Sequence, residues 1–229
     1  MPSAYIDSQR NHVSTFFERL QAETREARER FLTTEQLLRG SRGDISLASY
    51  RAYLVQAYHH VKHTVPLLMA CGSRLPAEKE WLREAIVEYI EEENGHQEWI
   101  LDDLRTCGED PEQHRYGMPN PETELMVAYA YDCIQRGNPV AFFGMVLVLE
   151  GTSIQLATHA AKAIRNSLKL PATACRYLSS HGSLDIGHME FFTSLVNRLQ
   201  SEADKQAVIH MANMMYRLYG DVFRSIPLD

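Results

Sequence analysis

Apolar residues recur at three- and four-residue steps along most of the chain, the period of an amphipathic α-helix, and no stretch alternates convincingly with the period of a strand. The first periodic segment covers about residues 8–38, where Phe16, Phe17, Leu20 and Ala27 fall near one face among many charges. Gly40-Ser41-Arg42-Gly43-Asp44 reads as a break. Ser46 is placed to cap a second helix carrying Tyr50, Tyr53, Leu54, Ala57, Val61, Val65 and Leu68, which Pro66 should kink or shorten. Pro76 opens a third helix that runs to about Thr106 and ends at Cys107-Gly108-Glu109-Asp110-Pro111. A loop rich in glycine and proline leads to Pro121, and a helix follows over about residues 122–135. Asn138, with Pro139 behind it, then caps a helix to about Ser167. Pro171 starts a short helix, the segment from His181 runs to near Gln200, and a last helix ends near Arg224. The pattern predicts an all-α bundle of seven or so helices.

Length and composition narrow the function. At 229 residues the chain is most simply one domain, 1–229, with a substantial core. A net charge of -7 and a pI near 5.8 leave no basic stripe to neutralise phosphates, so nucleic acid is not an expected partner. No run approaches the ~20 apolar residues that span a bilayer, and the first residues lack the basic and apolar regions of a secretory signal. Cys71, Cys107, Cys133 and Cys175 are scattered without a CxxC pair, as expected of reduced thiols in a cytoplasmic protein.

Three segments carry the candidate chemistry. In His181-Gly-Ser-Leu-Asp185-Ile-Gly-His188, positions i, i+4 and i+7 share one helix face, so two imidazoles and a carboxylate project together, as metal ligands must. Glu150 ends the apolar run from Ala141 to Leu149, and an ionised carboxylate there costs several kcal/mol in desolvation unless it is paired or metal-bound. A buried ion pair is the competing explanation. Glu93 and His96 have the i, i+3 spacing that lets one helix turn give a carboxylate and an imidazole to the same metal, with Glu92 nearly as well placed; an acidic run of this kind is otherwise a solvated face. His59, His60 and His63 form a second cluster, read either as a packed helix edge or as a supplementary ligand or proton carrier. There is no phosphate-binding glycine loop, GxSxG elbow or HExxH.

The order of these motifs resembles the heme-oxygenase-like diiron oxidases, relatives of thiaminase II (TenA) and pyrroloquinoline quinone synthase. Residues 92–104 look especially like the branch called iron-containing redox enzymes, and the likeness runs from about Ser46 to Leu199, with the metal-site core at about 46–200. The resemblance implies a seven-helix heme-oxygenase-like bundle, usually dimeric, that binds two Fe(II) ions, reacts with dioxygen as co-substrate and oxidises a small molecule, with an external electron donor in some cases. Carried over by position, Glu93 (or Glu92), His96, Glu150, His181, Asp185 and His188 become the ligands. Relatives often take a further carboxylate from an early helix, where this chain offers His59 and His60.

The expected function is therefore a non-heme diiron, dioxygen-dependent oxidase or oxygenase acting on an amino acid, amine or fatty acid. A metal-free enzyme using the same His and Glu residues as acids and bases is the first alternative, and a non-enzymatic helical binding protein the second. Phe142, Phe143, Met145, Val146 and Val148, with Met189, Phe191 and Phe192, predict a mostly apolar cavity beside the metals. Arg51, Lys62 and Lys162 are the nearest cations for a charged substrate end. Tyr53, Tyr58, Tyr89 and Tyr131 are expected to pack near the site.

Overall fold

The computed structural model describes residues 14–228, except for the side chains of residues 183–186. Among the described residues there are twelve α-helices, three single 3-10 turns and no strand. The all-α expectation holds, whereas the count of seven does not, because several predicted long helices are broken.

The first periodic segment is three helices, α1 (Phe16–Glu23), α2 (Arg25–Leu32) and α3 (Glu35–Arg42). The breaks fall at threonines whose hydroxyls compete with the helical backbone: Thr24 Oγ1 donates to the Leu20 carbonyl and Thr33 Oγ1 to that of Arg30. Gly40 remains helical, and the chain turns only at Gly43, in the left-handed region at φ 72°. Ser46 caps α4 (Leu47–Val61) as expected, its side chain accepting from the Ser49 amide. Pro66 acts as predicted. Its ring is incompatible with a helical carbonyl at Lys62, and the helix ends there, resuming as α5 (Thr64–Arg74).

The predicted helix from Pro76 to Thr106 is instead a 3-10 turn followed by α6 (Glu80–Glu93) and α7 (His96–Thr106). Gly95, at φ 95°, separates them. The short α8 (Pro111–Arg115) and α9 (Pro121–Arg136) lead to the long α10 (Phe142–Leu168). Helix α11 (Arg176–Val196) starts five residues before His181, and α12 (Glu202–Arg224) closes the chain.

Helix α10 is the axis of the bundle, packed against α11, α12 and α3. Its backbone touches its neighbours where side chains are missing. A Cβ on Gly144 would lie 2.4 Å from the Val208 carbonyl oxygen of α12, and one on Gly182 of α11 would lie 2.1 Å from Thr158 Oγ1. The 139–168 segment is long and apolar enough by composition to cross a membrane, which corrects the expectation that no such run exists. Most of its apolar window is buried inside the bundle, and its apolarity is that of a central core helix.

The start of α11 is fixed from another helix. Asp103, fully buried on α7, accepts hydrogen bonds from the backbone N–H groups of Arg176 and Tyr177 at 2.9 and 3.0 Å. It thereby satisfies two of the amides that a helix N-terminus leaves unmade.

Candidate metal centre

Glu93, His96 and His181 each offer a ligand atom, and the three atoms lie within 4.8 Å of one another. Donors on one ion stand at most about 4.2 Å apart when each bond is about 2.1 Å. Side-chain shifts of a few tenths of an ångström would therefore close this set on a cation. Glu93 and His96 do not share a helix turn, contrary to expectation. Glu93 is the last residue of α6 and His96 the first of α7, and the left-handed Gly95 swings them together, with His96 Nδ1 3.0 Å from Glu93 Oε2. Both are buried.

The imidazoles are held in place by aromatic rings. Trp99, one turn beyond His96, stacks on it at 4.0 Å between centroids. His181 meets His96 edge to face at 4.9 Å and Tyr177 at 4.8 Å. Sequence reasoning passed over Trp99 and Tyr177, although each is one helical turn from the histidine it braces.

Beside this trio lie His188 and Glu150, with His188 Nδ1 3.8 Å from Glu150 Oε1. The other nitrogen, Nε2, is 2.9 Å from Oε2 of Glu92. The two adjacent glutamates are thus divided: Glu93 belongs to the trio, and Glu92, half exposed, engages His188. The predicted ligand Asp185 lies outside the described side chains.

The early-helix histidines separate. His60 lines the cavity, fully buried against Tyr219, and its Nδ1 has no hydrogen-bond partner among the described residues. Burial, aided by the nearby His181, lowers its pKa to about 3, so it is neutral at ordinary pH. His59 is not at the site: it packs on Tyr58 and its Nδ1 is 3.2 Å from Lys62 Nζ. His63 turns to Tyr131, its Nδ1 3.1 Å from the phenol, so that tyrosine is also remote from the trio.

A cavity of about 160 Å³ extends from the buried Glu93, Glu150 and His181 to the half-exposed Gln36, Gly40 and Ser41 of α3 and to Leu228. Its walls are mostly apolar, as predicted, but two details differ. Only one face of α10 contributes, with Phe142, Met145, Val146 and Leu149 lining the cavity while Phe143 and Val148 are core. From α11, Phe191 packs on Tyr89 and Phe192 on Phe17, and Met189 also joins the core, because these residues lie two to three turns beyond His181, past the stretch of α11 that lines the cavity. None of Arg51, Lys62 and Lys162 lines it, nor does any other Lys or Arg among the described residues. Arg51 is occupied at the end of α7, bonding the Cys107 carbonyl at 2.8 Å, and Lys162 is exposed. Of the four tyrosines, Tyr53 and Tyr89 line the cavity. Tyr89 is buried, its ring edge-on to His188 at 6.2 Å, and burial with the nearby Glu150 pushes its phenol well above the usual range.

The donor set fits iron. Two carboxylates and three imidazoles are the hard-to-borderline N and O ligands that Fe(II) takes. A cation would also offset the desolvation cost of burying two carboxylates in one place.

Residues 51–220 match the sequence model of a family described as iron-containing redox enzyme. No curated protein matches the chain in sequence. Among solved structures, a domain of unknown function with a heme oxygenase-like fold from Shewanella denitrificans OS217 is 22% identical with a TM-score of 0.81, covering 92% of this chain and 91% of that one. A TenA homolog from Pseudomonas syringae pv. tomato DC3000 is 13% identical with a TM-score of 0.74, covering 91% of each chain. Heme oxygenase-2 from Synechocystis sp. PCC 6803, solved with heme and NO, is 16% identical with a TM-score of 0.74, covering 93% of this chain and 85% of that one. At these identities the likeness establishes the heme oxygenase-like fold and no more.

Proposed function

Because the chain belongs to the iron-containing redox enzyme family, we propose that it is a non-heme diiron enzyme that uses dioxygen to oxidise a small, partly apolar molecule. The observation that carries this reading is the convergence of Glu93, His96 and His181 within 4.8 Å at the inner end of an apolar cavity. Glu93, His96 and His181 would hold one ion. Glu150 and His188, with Asp185 added on the sequence pattern alone, would complete a second position. Iron bound there supplies the electrons that dioxygen chemistry requires.

The protein's own groups account for the rest. Glu92 accepts from His188 Nε2 and fixes the proton on that nitrogen, which leaves Nδ1 directed at Glu150 and the site. Trp99 and Tyr177 hold the rings of His96 and His181 at fixed angles and keep water from their faces. The apolar cavity walls receive an alkyl or aromatic portion of the substrate. With no Lys or Arg among the described lining residues, a substrate anion has no fixed counter-charge in the cavity, so its acidic end belongs at the metals or at the mouth.

The test is anaerobic titration of chelator-treated protein with Fe(II), followed by metal analysis and by oxygen uptake in the presence of hydrophobic amino acids, alkylamines and medium-chain acids. About two irons per chain and substrate-stimulated oxygen uptake are expected. Activity that survives exhaustive chelation would instead identify a metal-free acid–base enzyme.

A further inference from the structure

We propose that Tyr89 is a positioning residue for the carboxylates of the metal centre, its phenolic O–H being the donor that fixes the Glu150 carboxylate when a cation draws that group inward. The inference rests on the reading of this cluster as a metal centre.

Tyr89 lies on α6, one turn before Glu93, and lines the inner end of the cavity together with Glu93, Glu150 and His181. It is 2% exposed, and its ring is held between those of His188 and Phe191, at 6.2 and 5.4 Å. Its hydroxyl is sealed from solvent and makes no hydrogen bond among the described residues. Leaving a buried donor unmade costs stability. Phenylalanine would fill the same volume without that cost, so a phenol here calls for an acceptor.

Two carboxylates, Glu150 and Glu93, line the same cavity as Tyr89, and the imidazole of His188 stands edge-on to its ring. Glu92 is engaged by His188 at 2.9 Å and Glu93 by His96 at 3.0 Å. A carboxylate has about four lone-pair positions, so Glu150 can bind a cation through one and still accept from a phenol through another. Such a bond orients the ligand and tunes the bond it forms, and removing partners of this kind typically weakens metal binding by about 10–100-fold.

The experiment compares Tyr89→Phe with the wild-type chain, using Co(II) as a spectroscopic probe of the metal-free protein. Two quantities are read: the Co(II) affinity with its visible absorption, and the thermal midpoint of the metal-free protein. The expected result is an affinity lower by about tenfold and an altered Co(II) band, with a metal-free midpoint unchanged or raised because an unmade donor has been removed. An unchanged affinity and spectrum would overturn the proposal, as would a lowered metal-free midpoint with unchanged affinity, which marks a purely structural tyrosine. Should the wild-type chain bind neither Co(II) nor Fe(II), the metal-centre reading fails and this inference falls with it. Should wild type bind and Tyr89→Phe match it, only the inference falls.

Discussion

His188 and Glu92, on helices α11 and α6, meet at 2.9 Å between Nε2 and Oε2, while Nδ1 of the same imidazole stands 3.8 Å from Glu150. One nitrogen is thereby assigned to a supporting carboxylate and the other to the site. Adjacent glutamates then have different duties, and their substitutions should differ. Glu93→Ala is expected to remove an iron from the metal analysis. Glu92→Ala should retain both irons with affinity weakened by about tenfold, and Glu92→Gln, which can still accept from His188, should recover most of that loss. Equal iron contents in Glu93→Ala and the wild-type protein would contradict this division.

Gly95 makes the Glu93–His96 approach possible by adopting φ 95° between α6 and α7. Its missing Cβ would meet nothing within 4 Å, so the cost of a side chain is conformational alone. Gly95→Ala is expected to destabilise the fold by about 1–2 kcal/mol and to weaken Fe(II) binding by shifting His96. Chemical denaturation and metal titration of the variant read the two effects separately.

Gly182 tests the spacing of the helices that carry Glu150 and His181. A Cβ there would lie 2.1 Å from Thr158 Oγ1 and 2.9 Å from the Thr158 backbone nitrogen. The hydroxyl can rotate away but the backbone cannot, so α11 must move off α10. Gly182→Ala should cost about 1–3 kcal/mol, with a loss of bound iron. A thermal midpoint equal to that of the wild-type protein would refute the close approach.

The pH dependence of the metal-free protein should be set by its buried histidines. His60 and His59 have pKa values lowered by burial to about 3 and about 4, from 6.5 when exposed. Between these limits the unfolded chain binds the protons, so stability is full above pH 6.5 and is lost as the pH falls toward 4 and then 3. For His60 the full loss is on the order of 5 kcal/mol. Asp103 works in the opposite direction. Burial raises its carboxyl to about 6 from 3.8, so the folded state takes up that proton first and gains stability as the pH drops through this range. Its displacement is smaller than that of His60, and the net expectation is acid destabilisation. Denaturant midpoints at pH 7.5, 6 and 5 should fall in that order, with a shallower decline in His60→Asn.

What the sequence determined by itself was local. Three- and four-residue periodicity gave an all-α chain, the Ser46 cap and the Pro66 interruption lie where their chemistry requires, and Glu150 stood out because a charge at the end of an apolar run needs a partner. The spacing of His181 and His188 and the tandem Glu92-Glu93 were legible for the same reason, since a helix fixes which side chains share a face. Tertiary structure decided the rest. Periodicity runs through a break such as Gly95 or Thr24 undetected, because one residue in a different backbone conformation barely disturbs a hydrophobic pattern. Which glutamate faces His181, and which of His59 and His60 reaches the cavity, depends on how α4, α6 and α11 are rotated about their axes. That rotation is set by contacts between residues far apart in the chain, such as Gly144 of α10 against Val208 of α12 and Gly182 of α11 against Thr158 of α10, and by the Asp103 bonds that anchor the start of α11.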